Sequence, residues 1–182
     1  MKHALLPSLA LGASLLVATQ PARGQEQDWE PAGPGEHHAA IGRLAGKWKL
    51  AVTLGGDRGT GETEFRPVMG GRFLLEETRV RIGDFAFGWM GLHGYDDRKA
   101  LHVSTWIDTL ENGIEPMEGR CTDGGTTIAY ATTNPDHRTG GTKKVEWVLK
   151  AAEQDRFTVE MRTTPATGAP TVDIAVEGTR SE

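Results

Sequence analysis

From Gly46 onward, apolar and polar residues take turns. Trp48, Leu50, Val52 and Leu54 alternate with Lys47, Lys49, Ala51 and Thr53, and the same beat returns at Val145, Trp147 and Leu149, at Phe157, Val159 and Met161, and at Val172, Ile174 and Val176. Successive side chains of a β-strand point to opposite faces, so each of these segments buries one face and wets the other. Turn formers separate the segments: Gly55-Gly56-Asp57, Met69-Gly70-Gly71, Gly83-Asp84, Asp96-Asp97, Asn112-Gly113, Asp123-Gly124-Gly125, Asn134 to Gly141, Glu153 to Asp155 and Thr167-Gly168. They recur roughly every ten residues, the rhythm of short antiparallel strands joined as a meander. About ten strands fit the chain. A flat sheet of that size leaves two edges and an apolar face uncovered, whereas closure removes both. The fold expected is therefore all-β: an antiparallel up-and-down barrel of about ten strands.

Ahead of the strands, Gly35 to Ala45 carries Ala40, Ile41, Leu44 and Ala45 on one helical face, with Pro34 just before it. This predicts one short helix plugging an end of the barrel. Met1 to Gly24 has a basic start, an apolar run from Ala4 to Thr19 broken by Pro7 and Gly12, and a small-residue end at Ala22-Arg23-Gly24. Such a segment is expected to be a signal peptide cleaved before Gln25, which makes the chain exported, periplasmic or secreted. The run is shorter than the ~18 residues that span a bilayer, so stable membrane insertion of the mature chain is not expected. Gln25 to Pro34 reads as a flexible lead-in, and residues 35–182 as a single domain.

Charge narrows the partners. The formal net charge is -5, and without Met1 to Gly24 it becomes -7, with 18 basic and 25 acidic residues. No basic surface is left to draw nucleic acid. Cys121 is the only cysteine, so no intrachain disulfide forms and packing must supply the stability. The sequence does not set the oligomeric state.

The stretches GEHHAAIGRLAGKW (Gly35 to Trp48), EFRPVMGGRFLLEE (Glu64 to Glu77) and LHGYDDRKALHVSTWID (Leu92 to Asp108), with Asn112-Gly113-Ile114, resemble the bacterial DUF1579 family of uncharacterised proteins from about Gly35 onward. The resemblance implies a calycin-like barrel of the lipocalin or fatty-acid-binding kind, its first strand opened by Gly46-Lys47-Trp48. It implies no activity. His93 and His102 stand where the family pattern implies apolar or aromatic residues, so a histidine-based role would be particular to this chain.

Several local patterns lead nowhere chemical. GDRGTGET (Gly56 to Thr63) has Glu62 where a phosphate loop needs lysine and runs on into a strand, so it reads as a glycine-rich hairpin. His37 and His38 are adjacent on a helix and point about 100° apart, too divergent to share a metal with Glu36. Asp96 and Asp97 are turn formers, and Cys121 lacks a nearby base and reads as a strand residue of the wall. No metal site is expected.

The segment from Phe85 to Asp108 holds the candidates. With Asp97-Arg98 as a two-residue turn, Tyr95 is expected opposite Ala100, His93 opposite His102, Gly91 opposite Ser104 and Trp89 opposite Trp106. One face then carries Trp89, His93, His102, Ser104, Trp106 and Asp108; the other carries Met90, Leu92, Leu101, Val103, Thr105 and Ile107. Hydrophobicity alone puts the second set inside, while a ligand cavity lined with aromatics and a few polar groups takes the first. The concentration of polar groups around Trp106 sets the expectation that it faces inward. Glu76 lies on the apolar face of its own strand and is a candidate ligand-orienting carboxylate.

Three functions follow. The first is a non-catalytic barrel binding a small apolar or amphipathic molecule through Trp48, Glu76, Trp89, His93, His102, Ser104, Trp106, Asp108, Tyr130 and Trp147, with no cofactor. The second is a haem or metal-binding barrel using His93 or His102. The third is a hydrolase or isomerase using Ser104, His102 and Asp108; alternate residues of a strand lie about 7 Å apart, too far for a relay unless His93 of the neighbouring strand completes it.

Overall fold

The computed structural model describes residues 33–136 and 139–181. The leader expected over Met1 to Gly24, and most of the lead-in after it, lie outside the described residues. One helix, α1 (Glu36–Gly42), precedes ten strands: β1 (Gly46–Leu54), β2 (Asp57–Val68), β3 (Phe73–Ile82), β4 (Phe85–Asp96), β5 (Leu101–Asp108), β6 (Glu115–Thr122), β7 (Thr127–Asp136), β8 (Gly141–Glu153), β9 (Arg156–Thr164) and β10 (Thr171–Arg180). Every strand pairs with its sequence neighbours, and β10 returns antiparallel to β1, from Trp48 opposite Arg180 to Leu54 opposite Ile174. The sheet is a closed up-and-down barrel. No described helix is long and apolar enough to cross a membrane.

Most of the alternating residues build the core as expected; Val172 does not, standing 54% exposed where the β9–β10 register shifts between it and Ile174. Trp48, Leu50 and Val52 of β1 are buried with Phe65, Leu74, Val80, Phe87, Ile128, Tyr130, Val145, Trp147, Leu149, Phe157 and Val176. Helix α1 is shorter than the segment Gly35 to Ala45 suggested. It stops at Gly42, and the chain then turns so that Leu44 N–H and Ala45 N–H donate to Ile41 and Gly42 carbonyls. That turn drives both Ile41 and Leu44 into the core. Trp48 Nε1 donates to Leu44 O at 2.8 Å, and Arg180 donates to Ala45 O at 2.8 Å and to Arg43 O at 3.1 Å while lying 4.1 Å over the Trp48 ring. The end of the chain thus ties the helix to the barrel rim.

The β4–β5 hairpin has the expected facing and a different register. Its loop is four residues, from Asp97 to Ala100, with Ala100 at φ 53°. Asp96 shapes it by accepting from Arg98 N at 3.0 Å and Arg98 Nε at 3.1 Å, a local hydrogen bond that competes with the two-residue turn. The pairs are Tyr95 with His102, His93 with Ser104, Gly91 with Trp106 and Trp89 with Asp108. A shift of two residues preserves the faces. Trp89, His93, His102, Ser104 and Trp106 are buried, while Met90, Leu92 and Ile107 stand on the outer face at 38%, 37% and 41% exposure.

Candidate functional site

The register places a polar chain across three neighbouring strands. Glu76 of β3 is opposite Gly91 of β4, and His93 of β4 is opposite Ser104 of β5. Glu76 Oε2 lies 3.0 Å from His93 Nε2, and His93 Nδ1 lies 3.1 Å from Ser104 Oγ. Glu76 Oε1 accepts from Trp89 Nε1 at 2.7 Å and from Thr78 Oγ1 at 2.9 Å, and the Thr78 hydroxyl is 2.6 Å from that of Thr63. Both Glu76 oxygens face donors, and with Glu76 accepting from His93 Nε2 the Nδ1 lone pair is turned to the serine hydroxyl. All three side chains are buried. Gly91 makes the arrangement fit: a Cβ there would lie 2.8 Å from His93 Nε2 and 3.1 Å from Glu76 Oε2.

Beside this chain is a cavity of about 40 Å³, walled by Glu76, Trp89, His93, Trp106, Tyr130 and Trp147 together with aliphatic side chains of β1, β8, β9 and β10. By the usual ~10 to 15 Å³ for one water it holds a few waters or a very small ligand. Trp89 stacks on Trp106 at 5.0 Å between centroids, and Trp106 lies 4.6 Å from Trp147. Tyr130 Oη and Trp147 Nε1 are buried without a hydrogen-bond partner in the protein. Burial also pushes the Tyr130 phenol up, so it stays a neutral hydroxyl. Two unpaired buried donors at one small cavity are costly unless something there accepts from them.

Six of the ten sequence candidates thus line one space. The other four do not. Trp48 packs under Arg180 and edge-on to Phe157 at the helix end. Ser104 reaches the cavity only through His93. Asp108 accepts from Trp106 Nε1 at 3.1 Å and from Leu110 N and Glu111 N, so it shapes the β5–β6 loop. His102 lies beneath α1, 1% exposed, its ring 5.8 Å from that of His37 and 5.1 Å from that of Tyr95. The relay expected from Ser104, His102 and Asp108 is therefore corrected: Ser104 meets His93, and both His102 nitrogens are unpaired. Thr63, Thr78 and Met117, which were not picked out as site residues, hold or flank the polar chain. Thr63 shares its strand's alternation with Phe65, and that was the available signal.

A haem does not fit these residues. Both His93 nitrogens are engaged, His102 is covered by the helix, and the cavity is far below the roughly 300 Å³ at which ordinary ligand pockets begin. Among the described residues no group of three or more His, Cys, Asp or Glu side chains could hold a metal ion. Burial holds the Cys121 thiol above its ordinary range, the reverse of what a nucleophile needs. A larger groove of about 880 Å³ is shallow and lies along β2 to β5, where the outward Glu62, Arg79, Met90 and Ile107 line it.

Among solved structures, a redesigned beta barrel is similar at 17% identity with a TM-score of 0.40, covering 79% of this chain and 96% of its own. No curated protein matches. The family model described as "Protein of unknown function (DUF1579)" matches residues 33–180, nearly the whole of the described barrel and its helix, and the chain belongs to that family.

Proposed function

We propose that the barrel binds, outside the cytoplasm, a very small uncharged molecule that carries a hydrogen-bond acceptor. The observation that carries this reading is the pair of unpartnered donors, Tyr130 Oη and Trp147 Nε1, at the wall of a 40 Å³ cavity. An acceptor such as a carbonyl oxygen satisfies both, and the indoles of Trp89, Trp106 and Trp147 supply an apolar cage for the rest of the molecule. Glu76 already accepts from Trp89, Thr78 and His93, so the space beside it is walled by acceptor oxygens and disfavours a second carboxylate. The size of the cavity sets aside ligands of fatty-acid length. The leader-like Met1 to Gly24 supports export, which a mature N-terminus at Gln25 in protein isolated from its host would establish.

The test is a titration of protein with ¹⁵N-labelled tryptophan indoles, using acetone, acetamide and ethyl acetate as probes. A saturable shift of the Trp147 indole N–H is expected, weakened in Tyr130→Phe, which keeps the ring and removes one donor. No saturable shift with any of the three overturns the reading.

A further inference from the structure

The Glu76, His93 and Ser104 chain is more than the cavity needs in order to bind. Binding an acceptor requires donors, and Tyr130 and Trp147 already provide them. What the chain adds is a serine hydroxyl facing the lone pair of an imidazole whose other nitrogen is fixed by a buried carboxylate. These are the three roles of an activated nucleophile: attacking oxygen, general base, and the group that holds the base in its tautomer. The roles depend on geometry, and either imidazole nitrogen can serve as the base.

We propose that Ser104, His93 and Glu76 form a nucleophile relay and that the barrel is an acyl-transfer site for short-chain, uncharged esters. Ser104 Oγ attacks the ester carbonyl carbon while His93 Nδ1 takes its proton. The bond from the carbonyl carbon to the leaving oxygen then breaks, and that oxygen takes the proton from His93. The result is an acyl-Ser104 ester and a free alcohol. Water reverses the relay: it gives a proton to Nδ1, its oxygen bonds to the acyl carbon, and Ser104 Oγ leaves and recovers the proton, releasing a carboxylic acid. Glu76 touches no reacting atom and is a positioning residue. It keeps the hydrogen on Nε2 and stabilises the imidazolium that forms in each half.

The surroundings set the substrate class. Space of about 40 Å³ beside His93 admits an acetyl-sized acyl group and excludes a long one. His93 also lines a second, smaller pocket of about 20 Å³ that runs under α1 and the β2–β3 turn past His38, Ile41 and Phe73. His93 thus stands between the inner cavity and the helix-covered end. Ser104 lies just behind the cavity wall and does not itself line the cavity; Met117, opposite it on β6 and lining the cavity, is the side chain that must move for the hydroxyl to reach a carbonyl there, and an unbranched thioether does so readily. The proposal rests on the binding reading in one respect: the same Tyr130 and Trp147 donors receive the carbonyl oxygen as it gains charge.

p-Nitrophenyl acetate is the probe, applied to the whole folded protein. A burst of one p-nitrophenolate per chain is expected, with the acetyl group located on Ser104 by peptide mass spectrometry. Ser104→Ala loses burst and adduct, and His93→Gln slows acylation at least about a hundredfold. Glu76→Gln displaces the pH profile of acylation, which a purely structural carboxylate would leave in place. Labelling of the wild-type Ser104 by a small sulfonyl fluoride tests the same point without a variant. Acetylation confined to lysines, or a burst undiminished in Ser104→Ala, overturns the relay. A Trp147 indole shift without any Ser104 adduct overturns the relay and leaves the binding reading intact; an adduct without the shift does the opposite.

Discussion

His102 lies under α1 with no partner for either ring nitrogen, and its pKa is pushed down from 6.5 to about 4, first by burial and then by His37 and His38. The groups facing it are those two histidines on α1 and the Tyr95 ring on β4. In the unfolded chain the imidazole takes a proton below about pH 6.5, and in the folded chain it refuses one until about pH 4. The unfolded state therefore binds more protons in that window, so stability present above 6.5 is lost as the pH falls toward 4. With one pKa unit equal to about 1.4 kcal/mol, the loss is about 2 kcal/mol near pH 5 and about 3 kcal/mol near pH 4. Urea unfolding followed by tryptophan fluorescence at stepped pH measures it directly. His102→Leu replaces the imidazole by a buried aliphatic of similar size, and its stability should fall less than that of the wild type by those same amounts. The carboxylates titrate in both proteins and cancel in the difference. Equal losses in the two proteins across the window would refute the reasoning.

Tyr130→Phe removes a buried hydroxyl that no protein group satisfies, so the unliganded variant should match or exceed the wild type in urea by up to about 1 kcal/mol. A clear loss would show that the hydroxyl is already paired. Gly91→Ala puts a methyl into the His93 to Glu76 contact and should destabilise by about 1 to 3 kcal/mol while separating the two groups, visible as a changed His93 ring resonance. Glu76→Ala leaves Trp89 Nε1 and His93 Nε2 unsatisfied in the core and should cost about 2 to 4 kcal/mol, with Glu76→Gln costing less. Arg180→Ala releases the carbonyls of Arg43 and Ala45 together with the Trp48 ring, and amide exchange at Ile41 and Leu44 should speed up ahead of the strands.

The barrel was legible because period two is a property of the chain itself: Trp48, Leu50 and Val52 sit on one face whatever their partners. Glu76 was legible for the same reason, as the one carboxylate in an apolar row. The Ser104 to His93 contact was not, because it depends on which residue lies across the hairpin. That is fixed by Asp96 bending the chain back on Arg98 and by Ala100 in a left-handed conformation, neither of which a dipeptide turn rule contains. Facing survived the error since a shift of two keeps every side chain on its side. The outward position of Met90, Leu92 and Ile107 defeats a simple hydrophobic count, and only the polar company of Trp106 hinted at it. The cavity's size was beyond reach of the sequence. It is what remains after indoles from β4, β5 and β8 meet across the interior, and no linear pattern encodes that sum.

Closure between β1 and β10 also governs how the fold is reached. Arg180 bonds to Ala45 across 135 positions, so the contact that seals the helix end is among the most distant in the sequence. Hairpins β2–β3 through β8–β9 can zip locally, but the hydrogen-bonding edge of β1 waits for the last strand. A chain in which β1 and β10 have not met is an open sheet with two free edges and no Arg180 over Trp48, a form inclined to pair with its own copies. Closure thus depends on two strands far apart in the sequence, and a device that keeps β1 occupied until β10 arrives is expected to raise the yield of closed barrel without touching its final stability.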